Sequence, residues 1–465
     1  MATGVASQPP LGFAVVMPNT DAQTDFTRLR AFRQQAYQLF QHRRDAFFEL
    51  LDAVLQTPSA RSFAELSLAP AFRRQWHSLY KALAEVSYDQ DELDELCLAE
   101  IPTDQVAHFA LDVMSVRRMH SPTLQARRYT HGAPREVSGR GVIIGLPYSI
   151  LAWATKRGSS FTPAVNIRRL HPAQKAVEVA VAQVLWLGFY MRSGLDWRCA
   201  LDGASGSREF FAPLQEKAVQ VVARTRKDRV LYRRADPSQY VGRGRRAVFG
   251  RAFRCQDART WGAADEVASF TDARHGLVEL QLWRGLGLRR QGKFVEVEVI
   301  RSQIHAEREK PPAAHWYIAY NGKPEQEVGV RDWYETIVPR WGIEPANRFR
   351  KERLYAELPK VREAESSDHW LMAVQLLEWQ LYLARPAVQQ QCLPWQPEQA
   401  AEKLTPNRVL QSLPLNYSQV GTPVGEVRER GKSPGWEVGR VRSRPAQYKL
   451  VAKRRKKRLG ATKTE

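Results

Sequence analysis

Apolar positions fall into three textures along the chain. Leu29, Phe32, Ala36, Leu39 and Phe40 recur at helical spacing, and Phe47, Phe48, Leu50, Leu51, Val54 and Leu55 continue the pattern. A second set follows Pro58, comprising Phe63, Leu66, Phe72, Trp76, Leu79, Tyr80 and Leu83. The expectation for 25–104 is a small helical bundle with a basic exterior, serving DNA binding or packing alone, and no helix-turn-helix signature stands out. From residue 105 the runs become short and strand-like: 106–116, 142–153 and 161–167, with Gly and Pro between them. A long helix is expected over 171–191, a strand over 197–201, a helix over 208–217 and a buried strand over 218–223. Strands that meander first and are later linked by helices imply a mixed sheet with helices packed on it.

Residues 226–335 break this order. Gly/Arg-rich turns (VGRGRRAVFGR) and alternating runs at 277–283, 294–300 and 315–320 read as a β-rich insertion. Helical signals return near Glu344, and an apolar helix is expected over 369–384. The segmentation is therefore a loose leader (1–24), a helical domain (25–104), the first part of an α/β core (105–225), the β-rich insertion (226–335), the last part of the core (336–386), and a linker and tail (387–465). The tail is rich in Pro, Gln, Gly and Arg and carries six consecutive bases, Lys453 to Arg458, whose expected role is phosphate contact.

Charge narrows the function. Lys and Arg total 70 against 49 acids, a net charge of +21, and a field of that sign draws polyanions. Nucleic acid is the expected partner; a membrane is not, because no apolar run of bilayer length occurs. Cys97, Cys199, Cys255 and Cys392 are far apart and form no CxxC pair, which argues against a disulfide framework or a zinc ribbon. With no basic n-region leading into an apolar h-region, the expected compartment is the cytoplasm.

Three acids stand out. Asp112 is the one charge inside a run fit for a buried strand, where a carboxylate needs a partner or a cation. Asp202 ends the strand WRCAL at the turn DGASGS, and strand carboxyl ends are where α/β sheets bind ligands. An ordinary turn-forming Asp is the plainer reading of that position. Glu344 opens RWGIEPANRFRKERL, in which Glu344, Arg348 and Lys351 share a helix face and Pro345 suits the first turn. An amphipathic helix with a Glu–Arg pair accounts equally for that spacing.

Taken together these blocks resemble transposases of the DDE superfamily. Members carry an RNase H-like core with one Asp on the first strand, a second after the fourth strand and a Glu on a later helix. One insertion-sequence branch places a β-rich insertion between the second Asp and the Glu, and carries a Tyr-x2-Arg-x3-Glu-x6-Lys signature. Arg340, Glu344 and Lys351 match that spacing; the Tyr position holds Ile337, with Tyr334 one turn earlier. FALDVMSV resembles the first-Asp strand, and LDGASGSREFF with VVARTRKDRVLY resembles the second-Asp block. The resemblance spans roughly 105–360. It implies an α/β, RNase H-like mixed sheet with helices on both faces, and Asp112, Asp202 and Glu344 as catalytic acids binding two Mg²⁺ (or Mn²⁺) ions. It further implies that Arg340, Arg348, Lys351, Arg224, Arg226 and Lys227 contact DNA, and that Trp283 and Trp316 of the insertion either stack on an extruded base or pack in the core. The implied partners are double-stranded DNA, as terminal inverted repeats and target, and a second copy of the chain on that DNA. The implied setting is a bacterial nucleoid. Rival readings are a non-catalytic DNA-binding descendant of a transposase, an RNA-processing nuclease with the same core, and a basic structural protein of nucleoid or ribosome.

Overall fold

The computed structural model describes residues 25–451, apart from 133–140, 156, 192–194, 241, 243, 291, 306–312, 428–434, 436 and 442. The leader 1–24 and the basic block 453–458 lie outside the described residues.

Four helices open the described chain: α1 (Thr27–Leu39), α2 (Arg44–Gln56), α3 (His77–Glu85) and α4 (Gln90–Ala99). Their apolar faces close on a long helix from the far end of the sequence, α9 (Ala364–Ala384), in which Trp370, Leu371, Leu377 and Leu381 are fully buried. A buried polar contact helps lock the bundle. Arg33 on α1 meets Asp52 on α2 at 2.6 Å and also donates to Gln380 on α9.

The α/β core begins with β1 (Ala107–Arg117), followed by β2 (Arg128–His131), β3 (Val142–Trp153) and β4 (Ala164–Arg169). Then come α5 (Ala176–Tyr190), β5 (Trp197–Leu201), α6 (Arg208–Phe211) and β6 (Gln220–Thr225). Strand β3 pairs antiparallel with β1 and β4 antiparallel with β3, whereas β5 pairs in parallel with β1 and β6 with β5, so the sheet is mixed as expected. The expected helix over 208–217 is cut to one turn. The chain passes at once into a 3-10 segment, Ala212–Leu214, that holds Pro213.

Beyond β6 lie β7 (Val230–Arg234), β8 (Phe249–Arg254), β9 (Glu266–Asp272), β10 (Gly276–Arg290), β11 (Lys293–His305) and β12 (His315–Asn321). The β-rich segment is indeed strands, but hydrogen bonds tie it to the core. Strand β12 pairs antiparallel with β6, β11 with β12, and β10 with β11. Among the described residues the outcome is one sheet of order β2-β3-β1-β5-β6-β12-β11-β10-β7-β8, with β4 on β3 and β9 on β10. Trp283 and Trp316 are 1% and 4% exposed and stack on each other at 5.9 Å, so both serve core packing.

Helices resume earlier than Glu344. Helix α7 (Val330–Ile337) buries Val330, Trp333, Tyr334 and Ile337 against Ala200, Val222, Leu280 and Tyr317 of the sheet. A 3-10 turn, Val338–Gly342, passes the chain to α8 (Ile343–Glu352). On the opposite face, α5 and α6 cover the sheet with Val184, Leu187, Phe210 and Phe211. The region after 386 also holds more than a linker: α10 (Pro406–Val420) packs on α2 and α9. No helix among the described residues is long and apolar enough to cross a membrane.

Candidate active site

Asp112 and Asp202 meet through sheet register. Leu111 on β1 stands opposite Leu201 on the parallel neighbour β5, so the next residue on each chain is an acid. Asp112 still belongs to its strand and is largely covered; Asp202 has just left β5 and is exposed. Parallel pairing fixes the register, so an acid within β1 and an acid just past the carboxyl end of β5 converge without any special loop.

The third acid arrives from the other side of the sequence. The turn Val338–Gly342 and α8 both pack on β1. Gly342 leaves room for Thr162, whose Oγ1 would lie 2.6 Å from a Cβ there. It is also the residue capping α8, which places Glu344 second and Pro345 third in the helix, inside the first turn where Pro is tolerated. The Glu344 side chain is 53% exposed and meets Arg340 at 3.4 Å.

Asp112 feels the charges of its neighbours. Burial pushes the Asp112 carboxyl above its ordinary range, and the negative charges of Asp202 and Glu344 push it the same way. The Val113 N–H, donating to Oδ1 at 2.8 Å, and the positive charge of Arg340 act against them. Two carboxylates acting on a third, Asp112, with one buried arginine opposing them, form a setting that an added cation would relieve. Among the described residues, no group of three or more His, Cys, Asp or Glu side chains is arranged so as to hold a metal ion. The acids therefore share a field, while half-exposed Glu344 is turned toward Arg340.

The basic candidates divide by exposure. Arg340 is only 4% exposed, lying over the Trp341 ring at 4.5 Å and beside the acids. Arg348 is exposed on α8 and Lys351 is half-buried. Arg224 lies half-buried on β6 opposite Tyr317 of β12; Arg226 and Lys227 are exposed in the turn that follows. Ile337 is buried in the α7 core, and Tyr334 does not take its place, because the Tyr334 hydroxyl donates to Asp272 of β9 at 3.2 Å. One contact was not anticipated from the sequence. Asn347 Nδ2 donates to Asp112 Oδ2 at 3.2 Å, and Arg350 behind it donates to Asn347 Oδ1 at 2.7 Å. The i+3 spacing from Glu344 to Asn347 was the available signal, since it sets both on one helix face.

Comparison with known proteins bears on these geometries. A family model described as DDE superfamily endonuclease matches residues 35–286, more than half of the chain and including both Asp112 and Asp202; Glu344 lies beyond the matched span. No curated protein matches the sequence. Among solved structures, the chain is similar to a piggyBac transposase in a cryo-EM synaptic complex with hairpin DNA, at 12% identity and a TM-score of 0.42, with 86% of this chain and 80% of that one covered. On the strength of the family match over 35–286, the chain belongs to the DDE superfamily endonucleases.

Proposed function

We propose that this chain is a transposase that cleaves DNA at transposon ends and joins the freed 3′-OH to target DNA, with Asp112, Asp202 and Glu344 as its catalytic acids. The observation that carries the reading is the register Leu111↔Leu201, which sets Asp112 of β1 beside Asp202 where the parallel strand β5 ends, with α8 bringing a third acid against β1. The three carboxylates would hold divalent ions, Mg²⁺ or Mn²⁺, taken as two; such ions, when bound, activate the attacking oxygen and stabilise the leaving one.

The chain's own residues supply position and charge. Phosphodiester cleavage and joining need in-line placement and neutralisation more than covalent help. Arg340, held beside the acids, keeps the unloaded site from repelling itself and leaves a positive charge near the scissile phosphate. Exposed Arg348, Arg226 and Lys227, with half-buried Lys351 and Arg224, would grip the DNA backbone on either side. Glu344 must turn from Arg340 toward Asp112, and its half-exposed side chain has the freedom to do so. Double-stranded DNA, as terminal repeats and as target, is the partner in this reading. Two copies of the chain would bridge two ends, on DNA in a bacterial cytoplasm.

Asp112→Asn, Asp202→Asn and Glu344→Gln should each reduce strand cleavage of a terminal-repeat DNA by at least ~1,000-fold, while mobility-shift binding of the same DNA changes less than about threefold. Cleavage by any of the three variants at near wild-type rate would remove that acid from the mechanism. Retained activity in all three would leave a basic DNA-binding protein.

A further inference from the structure

A chain of polar contacts reaches Asp112 from deep in the protein. Arg350 on α8 is 0% exposed and meets Glu378 on α9 at 3.0 Å, with its guanidinium also donating to the Thr162 carbonyl at 2.7 Å. Glu378 in turn accepts from the Ala164 N–H at 3.0 Å, at the start of β4. The third branch of Arg350 donates to Asn347 Oδ1. Guanidinium is a donor only, so the amide of Asn347 has a single permitted orientation: oxygen toward Arg350, NH₂ toward Asp112. Asn347 Nδ2 then holds Asp112 Oδ2, while the backbone N–H of Val113 holds Oδ1.

We propose that Asn347 is a positioning residue for Asp112, its amide oriented by the buried Arg350–Glu378 pair so that the Asp112 carboxylate is fixed in the rotamer that faces Asp202 and Glu344. The proposal rests on the reading of Asp112 as a metal-holding acid. Two other roles do not fit the geometry. Asn347 is not itself a ligand, because it presents its NH₂ to Asp112 and its oxygen to Arg350; Arg350 does not grip DNA, because it has no exposed surface. The device also links the site to the helical bundle, since Glu378 lies on the helix on which α1, α2 and α3 pack. A carboxylate clamped at both oxygens loses little freedom when an ion arrives, which is how supporting hydrogen bonds tune metal sites.

The test uses the full chain and Mn²⁺ alone, with free Mn²⁺ counted by electron paramagnetic resonance in the absence of DNA. Asn347→Leu keeps the volume and removes the donor; Asn347→Ala serves if the leucine variant unfolds. The expected result is Mn²⁺ affinity weakened by roughly 10- to 100-fold, with thermal unfolding within a few degrees of the parent protein and DNA-end binding unchanged. Because Asn347 acts through Asp112, the same substitution made in the Asp112→Asn protein should weaken Mn²⁺ binding by less than about twofold further. Full Mn²⁺ affinity in both Asn347 variants, beside a loss in Asp112→Asn, would overturn the positioning role and leave the catalytic reading standing. Equal losses from Asn347→Leu with and without Asp112 would also overturn it, by showing that Asn347 acts elsewhere. An Asp112→Asn protein that binds Mn²⁺ and cleaves DNA as before would remove the catalytic reading, and this inference with it.

Discussion

At the scale of single residues, the strand that carries Asp112 also carries a titrating reporter. His108 lies four residues earlier on β1, near Arg198 and Asp332. Burial, and next the positive charge of Arg198, lower its pKa to about 4; Asp332 opposes them weakly. In the unfolded chain a histidine takes its proton near 6.5, so between pH 6.5 and 4 the unfolded state binds more protons than the folded one. Stability is therefore fully present above pH 6.5 and is lost as the pH falls toward 4, by at most roughly 3 kcal/mol. His108→Gln should flatten that part of the stability–pH profile in urea melts followed by far-UV dichroism. A variant whose profile parallels the parent between pH 4 and 6.5 would assign the acid sensitivity to other groups.

At the scale of elements, legibility followed how local the signal was. Helix α8 was readable because its cues are contiguous: Glu344, Arg348 and Lys351 on one face and Pro345 in the first turn. Strands β1 and β5 were readable as apolar runs, and the acids in or after them stood out for that reason. The pairing of β12 with β6 was not readable, since nothing in 315–321 says which edge it seeks; register is a non-local choice. A segment expected to interrupt the core thus turned out to be hydrogen-bonded into its sheet. Asn347 was overlooked because its role depends on Arg350 and on Glu378, which lies 28 residues beyond Arg350. Helix α7 was overlooked although Val330, Trp333, Tyr334 and Ile337 stand at i, i+3, i+4 and i+7. Helix α10 was overlooked because Pro406 and Pro414 made the stretch resemble a linker. Yet Thr405 caps it, accepting from the Arg408 N–H at 3.2 Å, and Pro406 fits its first turn. Its apolar face, including Leu410 with no exposed surface, closes on α2 and α9. Leu410→Ala should cost about 2–5 kcal/mol in equilibrium unfolding, as for other core leucines. A cost below about 0.5 kcal/mol would mean that α10 only rests on the bundle.

At the scale of the whole molecule, the fold and the charge divide the work of engaging DNA. A net charge of +21 draws the polyanion from any direction but cannot by itself orient it. Orientation has to come from cations with fixed positions relative to the acids, and the turn after β6 offers two. Strand β6 is the neighbour of β5, so Arg226 and Lys227, both exposed, leave the sheet one strand away from Asp202. A phosphate contact there would place the DNA backbone beside the end of β5, next to which the acids converge. Each such contact releases condensed counterions, so its removal is visible as a change in salt dependence rather than in sequence preference. The double substitution Arg226→Ala/Lys227→Ala should flatten the slope of log K against log salt concentration by about 2 for duplex DNA. It should weaken terminal-repeat and unrelated DNA alike, because phosphates carry no sequence information. A slope equal to that of the parent protein would take this turn off the DNA path. A loss confined to the terminal repeat would instead mark these residues as readers of base edges rather than of the backbone.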